Sequence, residues 1–292
     1  MWLAGEMETE LEPMADGEAP AAFAGRPLFE PIAHLLAGFT RSGLPGLDAL
    51  DALLRQQAPS ATSGAGQALR FVRPPADLPA YEALIHATGH VPTRAGDWHD
   101  FFNALAWCVW ARTKAACNAL HIVEAQHRAT AGLPGRGKRR DALTQFDECG
   151  IVVVSSDPQI PALLAAHAWE EVFWRRRARL AETTRFMIFG HGTWDQLRAP
   201  FFGLCAKALY RVVKPGWLAL PDAERQRETD AWLAARLAEP AFLATPRALA
   251  PLPLLGIPGV TADSESADYY RDARQFRPQR RSRADAQVPL VD

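Results

Sequence analysis

The sequence predicts an α+β fold, predominantly helical: a single domain around one long central helix, with a small sheet of two to three strands. Three observations carry that expectation. Trp98 to about Ala125 keeps apolar residues at helical spacing with no internal proline or glycine. Ile151-Val152-Val153-Val154 and Phe186-Met187-Ile188-Phe189 are short β-branched and aromatic runs of strand type. Helix-patterned stretches outnumber these strands, and no linker interrupts residues 27–278, the expected extent of the domain.

In chain order, residues 1–26 are acidic, rich in alanine, glycine and proline, and without periodicity. They are expected to form a disordered leader. Glu6, Glu8, Glu10 and Glu12 stand where a secretory signal would be basic and then apolar, so no such signal is expected. Leu28–Gly38 is a short apolar segment with a helix after Pro31, and Gly46–Gln57 spaces its leucines as a helix. Pro59–Gly66 reads as a loop, Ala68–Arg73 as a short strand and Tyr81–Thr88 as a short helix running into Gly89. The long helix follows. Gly132–Arg140, with three glycines, a proline and four cationic residues, predicts a mobile basic loop, and Asp141–Asp147 a short helix.

After the first strong strand, Pro161–Glu182 predicts a second long helix, and Gly190 ends the strand behind it. Strand, helix, strand in that order predicts a parallel, right-handed crossover. That topology would put Glu148 and His191 at opposite ends of the sheet. Thr193–Val213 is expected to be helical with a break at Pro200, and Asp222–Ala238 is a further helix. Pro251–Gly259 reads as rigid and extended, Asp268–Phe276 as a short helix, and residues 279–292 as a disordered tail.

Composition narrows the function. The net charge of −1 provides no global field for polyanions, which argues against nucleic acid as a partner. No apolar run approaches the roughly 20 residues that span a bilayer, so no membrane partner is expected. The four cysteines form no Cys-x-x-Cys pair, which fits reduced thiols and a cytoplasmic location.

The central helix is unusual in chemistry. At about 100° per residue, His99, Asn103, Trp107, Trp110, Lys114, Asn118 and His121 share one face. Phe102, Leu105, Val109, Ala116, Leu120 and Val123 share the other. A solvated face would carry Glu, Lys and Arg; imidazole, amide and indole suit a covered one. The stripe reads either as the wall of a site or as a buried network joining neighbouring elements. Asp97 is placed as an N-cap with Asp100 at N3. Capping therefore explains Asp100 better than a His99–Asp100 metal pair, whose side chains would diverge by about 100°.

Two further stretches carry polar groups. Asp147-Glu148-Cys149-Gly150 sets two carboxylates beside the first strand, suited to metal binding or acid–base work, or to a plain turn. Cys149 lacks a neighbouring base and reads as a small buried thiol. Gly190-His191-Gly192 sets a histidine just after the second strand, where open α/β sheets place ligands, or where it caps the next helix. Arg94, Lys114, Arg139 and Arg140 could hold an anion, although the glycine-bearing loop lacks Walker A spacing. Leu254–Gly259 reads as a tight buried reversal without chemistry.

Several motifs together resemble a bacterial family known as a domain of unknown function. They are Pro92-Thr93-Arg94, Trp98-His99-Asp100-Phe101-Phe102-Asn103-Ala104-Leu105 and Thr113-Lys114-Ala115-Ala116-Cys117-Asn118. With them go Thr144-Gln145-Phe146-Asp147-Glu148-Cys149-Gly150, Gly190-His191, Gly256-Ile257-Pro258-Gly259 and Phe276-Arg277-Pro278. The resemblance covers about Tyr81 to Pro278 and implies a bacterial, cytoplasmic protein without assigning catalysis.

The leading expectation is a hydrolase-like enzyme for a small anionic, phosphate-type substrate. His99, Asp147, Glu148 and His191 are the expected catalytic groups; Arg94, Asn103, Lys114 and Asn118 are the expected ligand-binding groups. A divalent metal is the candidate cofactor, held by no assigned ligand set. The alternatives are a non-catalytic binder of small anions or nucleic acid, and a structural protein with a buried polar network.

Overall fold

The structure is a computed structural model and describes residues 18–77, 80–279 and 290–291. Its N-terminal half is helical apart from one short strand pair. Helices α1 (Ala33–Leu36) and α2 (Leu47–Gln57) lead to strand β1 (Arg70–Val72), helix α3 (Tyr81–Thr88) and strand β2 (His90–Pro92). β1 and β2 form a separate parallel pair. Then come α4 (Trp98–Val109), α5 (Ala111–Thr130) and α6 (Lys138–Cys149). The C-terminal half alternates β3 (Gly150–Ser155), α7 (Gln159–Ala165), α8 (Arg177–Thr183), β4 (Thr184–Ile188), α9 (His191–Arg198) and β5 (Cys205–Val212). Helix α10 (Asp222–Leu237) and strands β6 (Ala250–Pro253) and β7 (Leu290–Val291) complete it.

The α+β, mainly helical class holds. The main sheet runs β4-β3-β5-β6, with β7 also on β5, and so exceeds the expected two to three strands. Every residue of β3 is buried, as its run of Ile and Val requires. One hydrophobic core spreads from Phe23 and Phe29 through Phe102, Phe146 and Val152 to Leu252 and Phe276.

Five local expectations are corrected. The central helix is not continuous: Trp110, at φ −122° and ψ 34°, divides α4 from α5. The Trp110 indole donates to the Ile188 carbonyl (2.9 Å), fixing the break to β4. Asp230, from α10, accepts the backbone N–H groups of Arg112 (3.1 Å) and Thr113 (2.9 Å), so α5 is capped by a side chain from another helix.

β3 and β4 are antiparallel neighbours, Ile151 opposite Ile188 and Ser155 opposite Thr184, and not a parallel crossover. Pro161–Glu182 is not one helix. α7 stops before His167, which takes a left-handed φ of 56°, and a π-helical turn at Glu171–Arg175 precedes α8. His167 Nδ1 and the Trp169 indole both meet the Arg277 carbonyl at 3.0 Å, so a contact distant in sequence fixes this break.

α9 ends at Arg198, and Cys205–Val212 is strand β5, not helix. Parallel pairing with β3 and antiparallel pairing with β6 decide that segment over its local propensity. Arg139 and Arg140 lie in α6 and not in a loop, which shortens the basic loop to residues 131–137.

The leader and tail boundaries also move. Pro20–Phe23 forms a 3-10 turn with Phe23 fully buried against Phe29 and Trp98, so packing begins before Pro27. Leu290–Val291 pairs with Arg211 and Val212 of β5. The rest of the expected leader (1–17) and of the tail (280–289 and 292) lies outside the described residues.

Candidate metal centre

The antiparallel β3–β4 pair brings the start of one strand beside the end of the other. α6 delivers Asp147 and Glu148 in its last turn, directly before β3. β4 delivers His191, the first residue of α9. Both flanking glycines are needed for this approach. A Cβ on Gly190 would lie 2.3 Å from Gly150 N and 2.6 Å from Cys149 N. A Cβ on Gly192 would lie 2.8 Å from Glu148 Oε2 and 3.0 Å from Glu148 O. α4 packs on α9 and contributes His99 from its first turn.

Three ligand-type side chains converge there. His99 Nε2 and His191 Nε2 are 3.0 Å apart. Glu148 Oε2 is 3.7 Å from His99 Nε2, and Oε1 is 3.7 Å from His191 Nε2. Taking one ligand atom from each residue, all three lie within 4.8 Å of one another, against about 3.3 Å between ligands on a tetrahedral ion. Burial pulls the His191 pKa down to about 3, against the opposing pull of Asp147, so the ring is neutral and has a lone pair to donate. Burial raises the Glu148 pKa, while His99 pulls it down. The His99 and Glu148 side chains remain 34% and 42% exposed, which leaves the cluster open on one side.

Behind His191 stands a second layer. His191 Nδ1 is buried and faces Asp147, whose Oδ2 is 3.7 Å away and whose backbone carbonyl borders the ring. Lys114 Nζ donates to Asp147 Oδ1 (2.6 Å) and to Asn103 Oδ1 (2.9 Å). Asn103 Nδ2 donates to the Tyr81 hydroxyl (2.8 Å). Burial alone would raise the Asp147 pKa; Lys114 and His191 outweigh it and keep the group below the usual carboxylate range. Lys114 also lies 5.3 Å from the centre of the Trp107 ring.

The remaining expected residues divide. Asn118 lies further along α5, accepting from Gly64 N and donating to the Glu82 backbone and side chain. Arg94 is taken by acids of its own loop: Asp100 receives its backbone N–H, Nε and Nη2, and Asp97 pairs with Nη1 at 3.0 Å. The Asp97 carboxylate caps α4 by accepting from Asp100 N (3.0 Å), as expected, but the Asp100 carboxylate holds Arg94 and does not cap. Arg139 pairs with Glu124 (3.2 Å). Trp107 and Trp110 are buried, closing off base stacking. Tyr81, Asp230 and the steric role of Gly192 escape a reading of the sequence. A tyrosine or aspartate on a separate helix carries no local mark of its partner.

Fold and site together define an α+β protein with a two-histidine, one-glutamate cluster at one end of a mixed sheet. The chain belongs to the family described as "Protein of unknown function (DUF3025)", which matches residues 69–280 and so includes all three cluster residues. Searches among curated proteins and among solved structures gave no match. No helix among the described residues is long and apolar enough to cross a membrane.

Proposed function

We propose that the protein is a metal-dependent, hydrolase-like enzyme for a small anionic substrate, with His99, Glu148 and His191 holding a divalent ion. The observation that supports this most is the convergence of the three ligand groups, which among the described residues form the cluster suited to a metal. His191 is the buried anchor, and His99 and Glu148 complete the set from the open rim. Two imidazoles and a carboxylate with positions left open match catalytic zinc sites. When bound, such an ion acts as a Lewis acid and brings a water's pKa towards neutrality.

The chain's own groups supply the rest. Asp147 stands 3.7 Å beyond the far nitrogen of His191, where its negative charge favours a proton on Nδ1 and leaves Nε2 free for an ion. Lys114 keeps Asp147 ionised, and Asn103 with Tyr81 holds Lys114 in place. Arg94 is paired with Asp97 and Asp100 and takes no ligand role in this reading. A neutral, desolvated His191 cannot act as a proton donor at ordinary pH, so proton transfer falls to the exposed rim.

The test is metal analysis of the purified full chain, followed by calorimetric titration of the stripped protein with zinc and manganese. One ion per chain is expected, lost in His99→Ala and Glu148→Gln, with metal-dependent hydrolysis of phosphate or carboxylate esters. Absence of binding at micromolar concentrations would overturn the reading. Two histidines and one carboxylate also suit non-haem Fe(II). Retention of iron, with oxygen-dependent and not hydrolytic turnover, would replace hydrolysis.

A further inference from the structure

We propose that the polar seam between α5 and α6, which starts beside the metal cluster, ends in an oxyanion seat formed by Arg140 and His121. The substrate would then carry a phosphate-type group about two helical turns from the bond that is cut. This rests on the metal-dependent reading of the neighbouring cluster for its functional meaning, but the seat itself stands on separate observations.

α5 and α6 run side by side in opposite directions, tied by Lys114–Asp147 (2.6 Å) at one end and Glu124–Arg139 (3.2 Å) at the other. Between these ties α5 contributes Asn118 and His121, both buried. On α6, Arg140, Thr144 and the Asp147–Glu148 pair recur every three to four residues and so share one face. The buried polar stripe of the central helices thus meets this face of α6 along a polar seam.

At the far end two groups lack partners. His121 is buried, and its Nδ1 has no hydrogen-bond partner. Arg140 is half-buried, and its Nε is likewise buried and unpartnered. No carboxylate among the described residues lies within ion-pair distance of Arg140, whereas the neighbouring arginines are engaged. Arg139 binds Glu124, Arg128 binds the Pro134 and Gly135 carbonyls, and Arg136 donates to Thr144 Oγ1 (2.6 Å). With Lys114 tied to Asp147 and Glu124 to Arg139, the antiparallel register sets His121 of α5 opposite the first turn of α6, where Arg140 stands.

A desolvated guanidinium nitrogen and a desolvated imidazole nitrogen are each costly without an acceptor. An oxyanion accepting from Arg140 Nε and His121 Nδ1–H satisfies both with charge-assisted bonds. The N-terminus of the 12-residue α6 adds to the seat, since no side chain caps it at Gly137. Glu82, the nearby acid, is held by Asn118 Nδ2 (2.7 Å). Arg140 and Asp147 are seven residues apart, about 10 Å along the helix, which sets the span of the substrate.

The experiment titrates inorganic phosphate into the full chain after chelator treatment, so that no metal contributes, with calorimetry as readout. Wild type and His99→Ala are expected to bind phosphate alike, and Arg140→Gln about tenfold or more weakly. Arg140→Gln should keep the zinc affinity of wild type. If Arg140→Gln fails to give a native circular dichroism spectrum, His121→Asn is measured instead, with the same expected loss. Equal phosphate binding by wild type and the variant, or none by wild type, overturns the seat. Phosphate binding that depends on Arg140 in a chain that takes up no metal would uphold the seat and sink the metal-dependent reading.

Discussion

The ammonium group of Lys114 lies 2.9 Å from the side-chain oxygen of Asn103, although eleven residues separate them. On a straight helix that spacing is about 16 Å along the axis, beyond a lysine's reach. The break at Trp110 closes the gap. Asp230, donated by α10, and the Trp110 indole on β4 hold the break in place.

Asp230→Ala should therefore weaken both the fold and the site. Two N–H groups at the start of α5 lose their acceptor, a cost of about 1–2 kcal/mol. Asp230→Asn keeps an acceptor oxygen and should recover most of it, the more so because burial already raises the Asp230 pKa. Thermal unfolding and zinc titration of both variants check this; an unchanged melting temperature in Asp230→Ala would refute the capping role.

Gly192→Ala sets two effects against each other. Alanine in the first turn of α9 gains up to about 1 kcal/mol in helix propensity. Its Cβ, however, meets the Glu148 carboxylate at 2.8 Å and the Glu148 carbonyl oxygen at 3.0 Å, and a backbone carbonyl cannot swing aside. Overpacking of about 1–3 kcal/mol should win, so denaturant unfolding should show net destabilisation together with weaker zinc binding. A stabilised variant would mean that α9 shifts freely.

Lys114→Met leaves Asp147 buried without its counter-charge. Breaking a buried pair on one side costs about 3–5 kcal/mol, while replacing both partners costs much less. Lys114→Met should thus destabilise more than Lys114→Met with Asp147→Asn. A double-mutant cycle in urea measures the coupling, and additive effects would deny that the two charges compensate each other.

Acid sensitivity should include a contribution from His121. Burial lowers its pKa from the ordinary 6.5, so the folded ring stays neutral where the unfolded chain takes up a proton. Unfolding then binds a proton, and stability falls as pH drops below about 6.5 towards the lowered value. His121→Gln should flatten that part of the stability–pH curve. An unchanged slope between pH 6.5 and 5 would show that His121 does not contribute.

Much of the site is legible in the sequence, because helical periodicity alone gathers His99, Asn103, Lys114, Asn118 and His121 on one face. Periodicity assumes one continuous helix, and across the break at Trp110 the polar residues still find partners, Lys114 on α6 and Asn103 and Asn118 on α3. The sheet is less legible. Phe186–Phe189 shows itself as a strand, but its direction depends on where the chain turns between Ser155 and Thr184, at a left-handed His167 held by Arg277. Arg94 misleads for a related reason. A basic residue before a helix invites an anion, and the anions it finds are Asp97 and Asp100, three and six residues on.

The hairpin-like β3–β4 pair has one more consequence. Glu148 and His191 meet at one end of the two strands, so residues 156–183 hang from the opposite end. The strand ladder from Ile151–Ile188 to Ser155–Thr184 separates that excursion from the cluster, although both pack on the same core. A small dye at the exposed Ala166 would report on the far rim of the sheet, whereas a chain insertion there would pull Leu164 and Trp169 from the core and His167 from Arg277.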